Sequence, residues 1–150
     1  MPLFFLFVAF VGLSLSSPPL LAATSVEAEE SLAVKSYRQF ATAFIRGELV
    51  EASRFADGQA LRTVRRKQYV QSKGEVTVPP VETEILIVGE NPQKGGVQVD
   101  IQGVLLARHS LPDSSELETK VHRQTITMLH RKSGWKVVYF IDDLEKCCLP

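Results

Sequence analysis

Cysteine is nearly missing from this chain: two of its 150 residues, Cys147 and Cys148, stand side by side at the end. With no third cysteine, no disulfide can close a loop and staple the fold, so a core of apolar side chains must hold it together. The pair is left with a strained bond between neighbours, a bridge to another chain, or free thiols on a tail. The ending Cys147-Cys148-Leu149-Pro150 has the outline of a prenylation box, but proline is a poor last residue for that signal and prenylation belongs to the cytosol. Net charge is missing too, with 17 basic against 17 acidic residues. A neutral chain gives no ground for expecting nucleic acid or an acidic partner. The cluster Arg62, Arg65, Arg66 and Lys67 has no aromatic residues interleaved with it, as a single-strand binder needs, and reads as a solvated helix face.

Histidine is scarce as well. His109, His122 and His130 follow no metal-ligand spacing, and the last two lie roughly 27 Å apart at strand rise, so no metal is implied. No serine sits in a nucleophile elbow or a Ser-x-x-Lys setting. Gly95-Gly96 is not followed by a helix and makes no phosphate cradle. No cofactor is implied.

Long apolar runs are confined to the first residues. Residues 3–23 carry no charge, break at Ser16-Ser17-Pro18-Pro19, and are followed by small residues at Ala22-Ala23-Thr24-Ser25 that suit a signal peptidase. A cleaved signal peptide over 1–23 is the expectation. A run of about 20 residues also has the length of an uncleaved anchor, and no Lys or Arg precedes it. The localisation expected is export, periplasmic or extracellular, with anchoring in a membrane as the alternative. A linker over 24–30, one domain over 31–144 and a tail over 145–150 complete the division.

From Ser31 the pattern is helical: Leu32, Ala33, Tyr37, Phe40, Ala41, Phe44 and Ile45 recur at three- and four-residue spacing, and Gly47 stops the run. A short helix over 48–55 ends at Asp57-Gly58. A third over 59–73 has a thin stripe of Leu61, Val64 and Tyr69 or Val70. After Gly74 the period becomes two. A short edge strand is expected at 76–78, a strand at 81–89, a turn at 91–96 and a long strand at 97–108, whose Val97, Val99, Ile101, Leu105 and Ala107 share a face. Gly103 within it suggests a bend or bulge. A loop over 109–116 precedes residues 121–142, two strands folded back on each other.

Lys132-Ser133-Gly134 suits a three-residue hairpin loop, with Arg131 facing Trp135, Leu129 paired with Val137, Met128 with Val138, Thr127 with Tyr139, Ile126 with Phe140 and Thr125 with Ile141. A two-residue loop would instead pair His130 with Trp135 and turn the first strand over relative to the second. The final strand is apolar on both faces, which predicts a place inside a sheet covered on both sides or curled around something. Helices first and then about four antiparallel strands make an α+β fold, with N-terminal helices packed on one face of a curved sheet.

This order resembles the nuclear-transport-factor-two-like (cystatin-like) superfamily, in which a bent antiparallel sheet wraps a long first helix into a cone. Three pieces carry the resemblance: Phe40-Ala41-Thr42-Ala43-Phe44-Ile45-Arg46-Gly47-Glu48-Leu49, a first helix breaking at a Gly-acidic pair; the bent strand around Gly103; and Gly134-Trp135-Lys136-Val137-Val138-Tyr139-Phe140. Many members place a strand or two between the second and third helices, and Asp57-Gly58 leaves no room for them here. The resemblance implies a pocket inside the cone, lined here by Tyr37, Phe44, Trp135 and Tyr139. It admits isomerases, dehydratases, cyclases and epoxide hydrolases beside non-catalytic binding and assembly domains, so fold alone does not choose.

A steroid-isomerase-like mechanism needs a carboxylate base inside the cone, for which Asp100 is the candidate. Asp100 shares its strand face with Gln98 and Gln102, opposite the apolar set, which points it toward solvent. Tyr37 reads as a core tyrosine with a bonded hydroxyl. The expectation is an exported binding or accessory domain holding a small apolar ligand or an envelope protein partner, with a homodimer through the sheet as a further possibility. The alternative is an isomerase- or hydrolase-type enzyme with an acid-base pocket in the cone.

Overall fold

A computed structural model describes residues 29–145. The apolar run at 1–23 and the cysteine pair lie outside them. Three helices, α1 (Leu32–Ile45), α2 (Leu49–Arg54) and α3 (Gly58–Ser72), precede four strands, β1 (Glu82–Pro92), β2 (Gln98–Ser110), β3 (Leu117–Arg131) and β4 (Gly134–Leu144). The strands form one antiparallel, curved and unclosed sheet in the order β1-β2-β3-β4. Among the described residues no helix is long and apolar enough to cross a membrane.

Helix α1 starts where Ser31 Oγ accepts from the Val34 N–H at 3.2 Å, and Ser31 Oγ also donates to Glu90 Oε1 at 2.6 Å, pinning the helix start to β1. It ends in a Schellman motif: Glu48 N–H bonds Ala43 O at 2.9 Å and Gly47 N–H bonds Phe44 O at 3.2 Å. Gly47 takes φ of 76° there, a conformation glycine reaches without strain. The face α1 buries, including Val34, Tyr37, Phe40 and Phe44, lies against Ile101, Leu105, Ile126, Met128 and Phe140 of the sheet. Phe140 meets the rings of Phe40 and Phe44 edge-on, at 5.1 and 5.2 Å between centroids. Helix α3 contributes little hydrocarbon: Ala60 and Val64 are buried, whereas Tyr69 is 63% exposed and Val70 half-buried.

The sheet corrects several expectations. Residues 76–78 form no strand, and Val76 and Val78 are exposed. β1 continues through Asn91 and Pro92 into the expected turn, paired as far as Val99. Val97 precedes β2 and is exposed, so the shared buried face runs Val99, Ile101, Gly103, Leu105 and Ala107. The bulge expected at Gly103 belongs to β1, where the register slips between Ile87 and Gly89, opposite Gly103 and Gln102. Gly103 answers a different need: a Cβ there would stand 2.2 Å from Tyr37 Oη.

The β3–β4 hairpin satisfies each register in turn. Next to the turn Arg131 pairs with Gly134, His130 with Trp135 and Met128 with Val137, as a two-residue loop requires. A bulge between Thr127 and Met128 then leaves Val138 unpaired, and beyond it Thr127 pairs with Tyr139, Ile126 with Phe140 and Thr125 with Ile141. The expected pairs Arg131 with Trp135, Leu129 with Val137 and Met128 with Val138 are therefore wrong. The physical cause is a segment distant in sequence. Asp57 N–H donates to Val137 O at 2.8 Å and Val137 N–H to Phe55 O at 2.7 Å, while Phe140 N–H bonds Gln59 Oε1 at 3.0 Å. Residues 55–59 thus occupy the free edge of β4 where it bends, and a Cβ on Gly58 would lie 3.2 Å from Val138 O. Asp57 caps α3 by accepting from Gly58 N–H at 2.8 Å, a bond that, with Arg131 behind it, holds this carboxyl below its ordinary range.

β4 is not an inner strand but an edge strand, with Val137 and Phe140 buried beneath the helices. Tyr139 and Ile141 are exposed on the outer face, 43% and 38%. Its two apolar faces reflect one covered and one open side.

Candidate functional site

The buried face of β3 reads, from the middle of the sheet outward, Met128, Ile126, Gln124, His122. The matching positions on β4 are Phe140 and then Asp142. Along one continuous inner face hydrocarbon gives way to amide, imidazole and carboxylate, and these meet Tyr37 descending from α1.

Tyr37 is wholly buried, and its hydroxyl donates to Gln124 Oε1 at 2.6 Å. Gln124 Nε2 donates to Asp142 Oδ1 at 3.4 Å. His122 Nδ1 lies 3.1 Å from Asp142 Oδ1 and 3.2 Å from Oδ2. A carboxylate can only accept, so Nδ1 carries the hydrogen and Nε2 is the unprotonated nitrogen of the neutral ring. Among the described residues no hydrogen bond reaches Nε2, and no buried polar side-chain atom lacks a partner, so Nε2 is the part of the network that meets solvent. Burial first, and the Asp142 charge second, push the Tyr37 hydroxyl far above its ordinary titration range. Tyr37 is therefore a neutral donor already in use, not an available acid.

His122 opens into a cleft of about 420 Å³ at the end of the sheet where His109, Lys120 and Leu144 also lie, with residues 75–78 as its other wall. Lys67 of α3 belongs to this wall and to that of an adjoining cleft of about 460 Å³ walled by Phe44, Arg66 and Val70. The Lys67 ammonium donates to Phe44 O at 3.2 Å and lies 4.3 Å above the Phe44 ring. Its burial pulls the proton affinity down, with Asp142 and Glu75 opposing. His109 is likewise held below its ordinary value, by burial and then by Lys120, with Glu118 opposing and His122 adding to the shift. A larger hollow of about 860 Å³ lies outside, between the α1–α2 turn and α3, and takes no wall from the sheet or from the polar network.

Of the residues expected to line a pocket, only Phe44 borders one of these clefts. Tyr37 is packed into the core, and its hydroxyl is spent on Gln124. Trp135 is half-buried at the turn end of the hairpin, edge-on to His130 at 5.2 Å. Tyr139 points from the outer face. These four do not come together. Asp100 lies on the outer sheet face, half-buried, accepting from Thr127 Oγ1 at 2.8 Å and Gln93 Nε2 at 2.9 Å. Among the described residues no three potential ligands are grouped as a metal ion would need. The residues that do converge are His122, Gln124 and Asp142; each lies two or four positions along a strand from Ile126 or Phe140, on the strand face opposite the one whose Tyr139 was expected to line the pocket.

No family model and no curated protein matches the sequence. Solved structures do match in shape. A ketosteroid isomerase-like protein from Erwinia carotovora superposes with TM-score 0.56 at 10% identity, over 79% of this chain and 97% of that one. An NTF-2-like protein of unknown function from Shewanella oneidensis gives 0.52 at 11%, over 74% and 95%. A CaMKII hub from S. rosetta gives 0.53 at 11%, over 76% and 95%. The chain thus resembles the nuclear-transport-factor-two-like fold, as its sequence led one to expect, and at these identities the likeness concerns the fold alone.

Proposed function

We propose that this chain is a binding or accessory domain that takes a small molecule into the cleft at the His122 end of the sheet, not into the middle of the cone. One observation carries the reading: the space between α1 and the sheet is filled by fully buried Tyr37, Phe40, Ile101, Leu105, Ile126 and Met128, and the inner face opens into a cleft where it turns polar at His122. A thermal-shift screen with a small-molecule panel tests it. Hits on the wild type should be lost in Leu144→Trp, which fills the cleft mouth from an exposed strand end. Hits unaffected by Leu144→Trp, or no hits at all, would overturn the reading.

The imidazole held at Nδ1 by Asp142, with Nε2 toward the cleft, favours a second reading, a general base of the isomerase or hydrolase type. If a hit is turned over, His122→Gln should lower the rate about 100-fold while binding persists; if binding and rate fall together, His122 only holds the ligand.

The uncharged N-terminal run supports export to a periplasmic or extracellular location, or anchoring there, which a full-length fusion to a reporter active only outside the cytoplasm would test. The apolar residues Leu86, Tyr139 and Ile141 on the open sheet face support a protein partner there, a second copy being the simplest; sedimentation of wild type against Tyr139→Lys tests that partner.

A further inference from the structure

Around Lys67 the balance of charge is uneven. Arg66 and Lys67 form no ion pair among the described residues. His109, Lys120 and His122 add three more basic side chains to the walls, against one acid in them, Glu75. The other acids nearby are engaged: Asp142 by His122 and Gln124, and Glu118 by Lys120 at 3.9 Å. An ammonium half-withdrawn from water onto a neutral carbonyl and a ring loses solvation that Asp142 and Glu75, neither of them in an ion pair with it, return only in part. The same walls expose hydrocarbon: Val76 and Val78 are 84% and 71% exposed and Leu144 48%, all at one cleft. A cation in no ion pair, between two clefts of which one has an uncovered apolar rim, fits a molecule that is both anionic and greasy.

We propose that the paired clefts take an amphipathic anion, an apolar chain or ring ending in one carboxylate, with its head at Lys67 and its body along Phe44, Val70, Val76 and Val78. The proposal rests on the reading of the cleft as a ligand site and adds the ligand's class. His122 shares one cleft wall with Lys67, and Arg66 shares the wall of the adjoining cleft.

Decanoate and decanol, equal in chain length and differing in head group, serve as probes by calorimetry at neutral pH. Wild type should bind decanoate about tenfold more tightly than decanol, the worth of one partly shielded charge pair. Lys67→Met, which keeps the apolar stem, should remove that preference and leave decanol unchanged, and Lys67→Arg should keep it. Raising salt from about 20 to about 500 mM should weaken decanoate and not decanol, a readout needing no variant. Equal binding of both probes, or a preference that survives Lys67→Met, would sink the anionic head while leaving the cleft as a ligand site. Failure of both probes to bind would take the cleft reading down with it.

Discussion

Two stretches of the inner sheet face, neighbours along β3 and β4, are held together by different means. Around Phe140 and Ile126 contact is hydrocarbon on hydrocarbon, with Phe40 and Phe44 closing over it. Two residues farther along each strand, Gln124, His122 and Asp142 leave packing to directed hydrogen bonds beneath Tyr37. Both stretches face inward, and neither has a buried side-chain donor or acceptor without a partner among the described residues. The apolar stretch ends inside the protein, whereas the polar one ends in a ring nitrogen at a cleft. Stability should therefore concentrate in the first, and sensitivity to pH and ligands in the second.

The sharpest break of that contrast is Phe140→Ala. Emptying the space between two phenylalanine rings should cost about 3–5 kcal/mol, read as a lower urea midpoint, and should leave any ligand selectivity of the cleft unaltered in the fraction that stays folded. Gly103→Ala comes next, because it pushes a methyl group to 2.2 Å from Tyr37 Oη and forces the donor off Gln124. We expect a loss of about 2–3 kcal/mol. Tyr37→Phe alone strands Gln124 Oε1 without a donor and should cost about 1–2 kcal/mol. Combined with Gly103→Ala it removes the worst contact, leaving Cζ at 3.0 Å, so the double variant should be less destabilised than the two losses added. Strict additivity in that cycle would mean that Gly103 is not there for Tyr37.

The apolar stretch could be read from the chain because its period is plain: Val99, Ile101, Leu105 and Ala107 alternate, and Ile126 falls opposite Phe140 in the observed register. Helix stops at Gly47 and Asp57-Gly58 were legible for the same reason, a local rule satisfied locally. The bulge at Val138 was not, because its cause is the docking of residues 55–59 onto an edge some eighty positions away. The edge position of β4 was hidden too, since apolar residues on both strand faces look alike whether the second face is covered or open. His122, Gln124 and Asp142 were missed because both faces of β4 are apolar, so its pattern did not say which one turns inward, and the pocket was placed on the Tyr139 side. Asp100 drew attention as a lone carboxylate, yet its neighbours Gln98 and Gln102 already marked the outer face.

Smaller effects should appear as pH dependence, and on the inner face they belong to the polar end. The ordinary lysine value is 10.5, and folding lowers that of Lys67, so the unfolded chain holds this proton more tightly. Stability should rise with pH from the lowered value up to the ordinary one, and Lys67→Met should flatten that rise. Tyr37 acts in the opposite sense: its ordinary value is 10.0 and folding raises it, so stability should fall as pH climbs above 10, a fall that Tyr37→Phe removes. Melting curves across the alkaline range for both variants separate the two.

The smallest effect belongs to His109, which burial and Lys120 hold below its ordinary value of 6.5 against the opposing charge of Glu118. The unfolded chain then takes up this proton first as the solution is acidified. Stability contributed by the neutral ring should be complete above about pH 6.5 and fade below it until the folded value is passed. His109→Gln should reduce that fading by the small amount expected of a partly solvated group, whereas Lys120→Met, by removing a positive neighbour, should move the onset of protonation of His109 in the folded protein to higher pH in a proton NMR titration. An onset that stays put in Lys120→Met would leave burial as the whole cause, and would weaken the picture of a cation-rich cleft set against a purely apolar core.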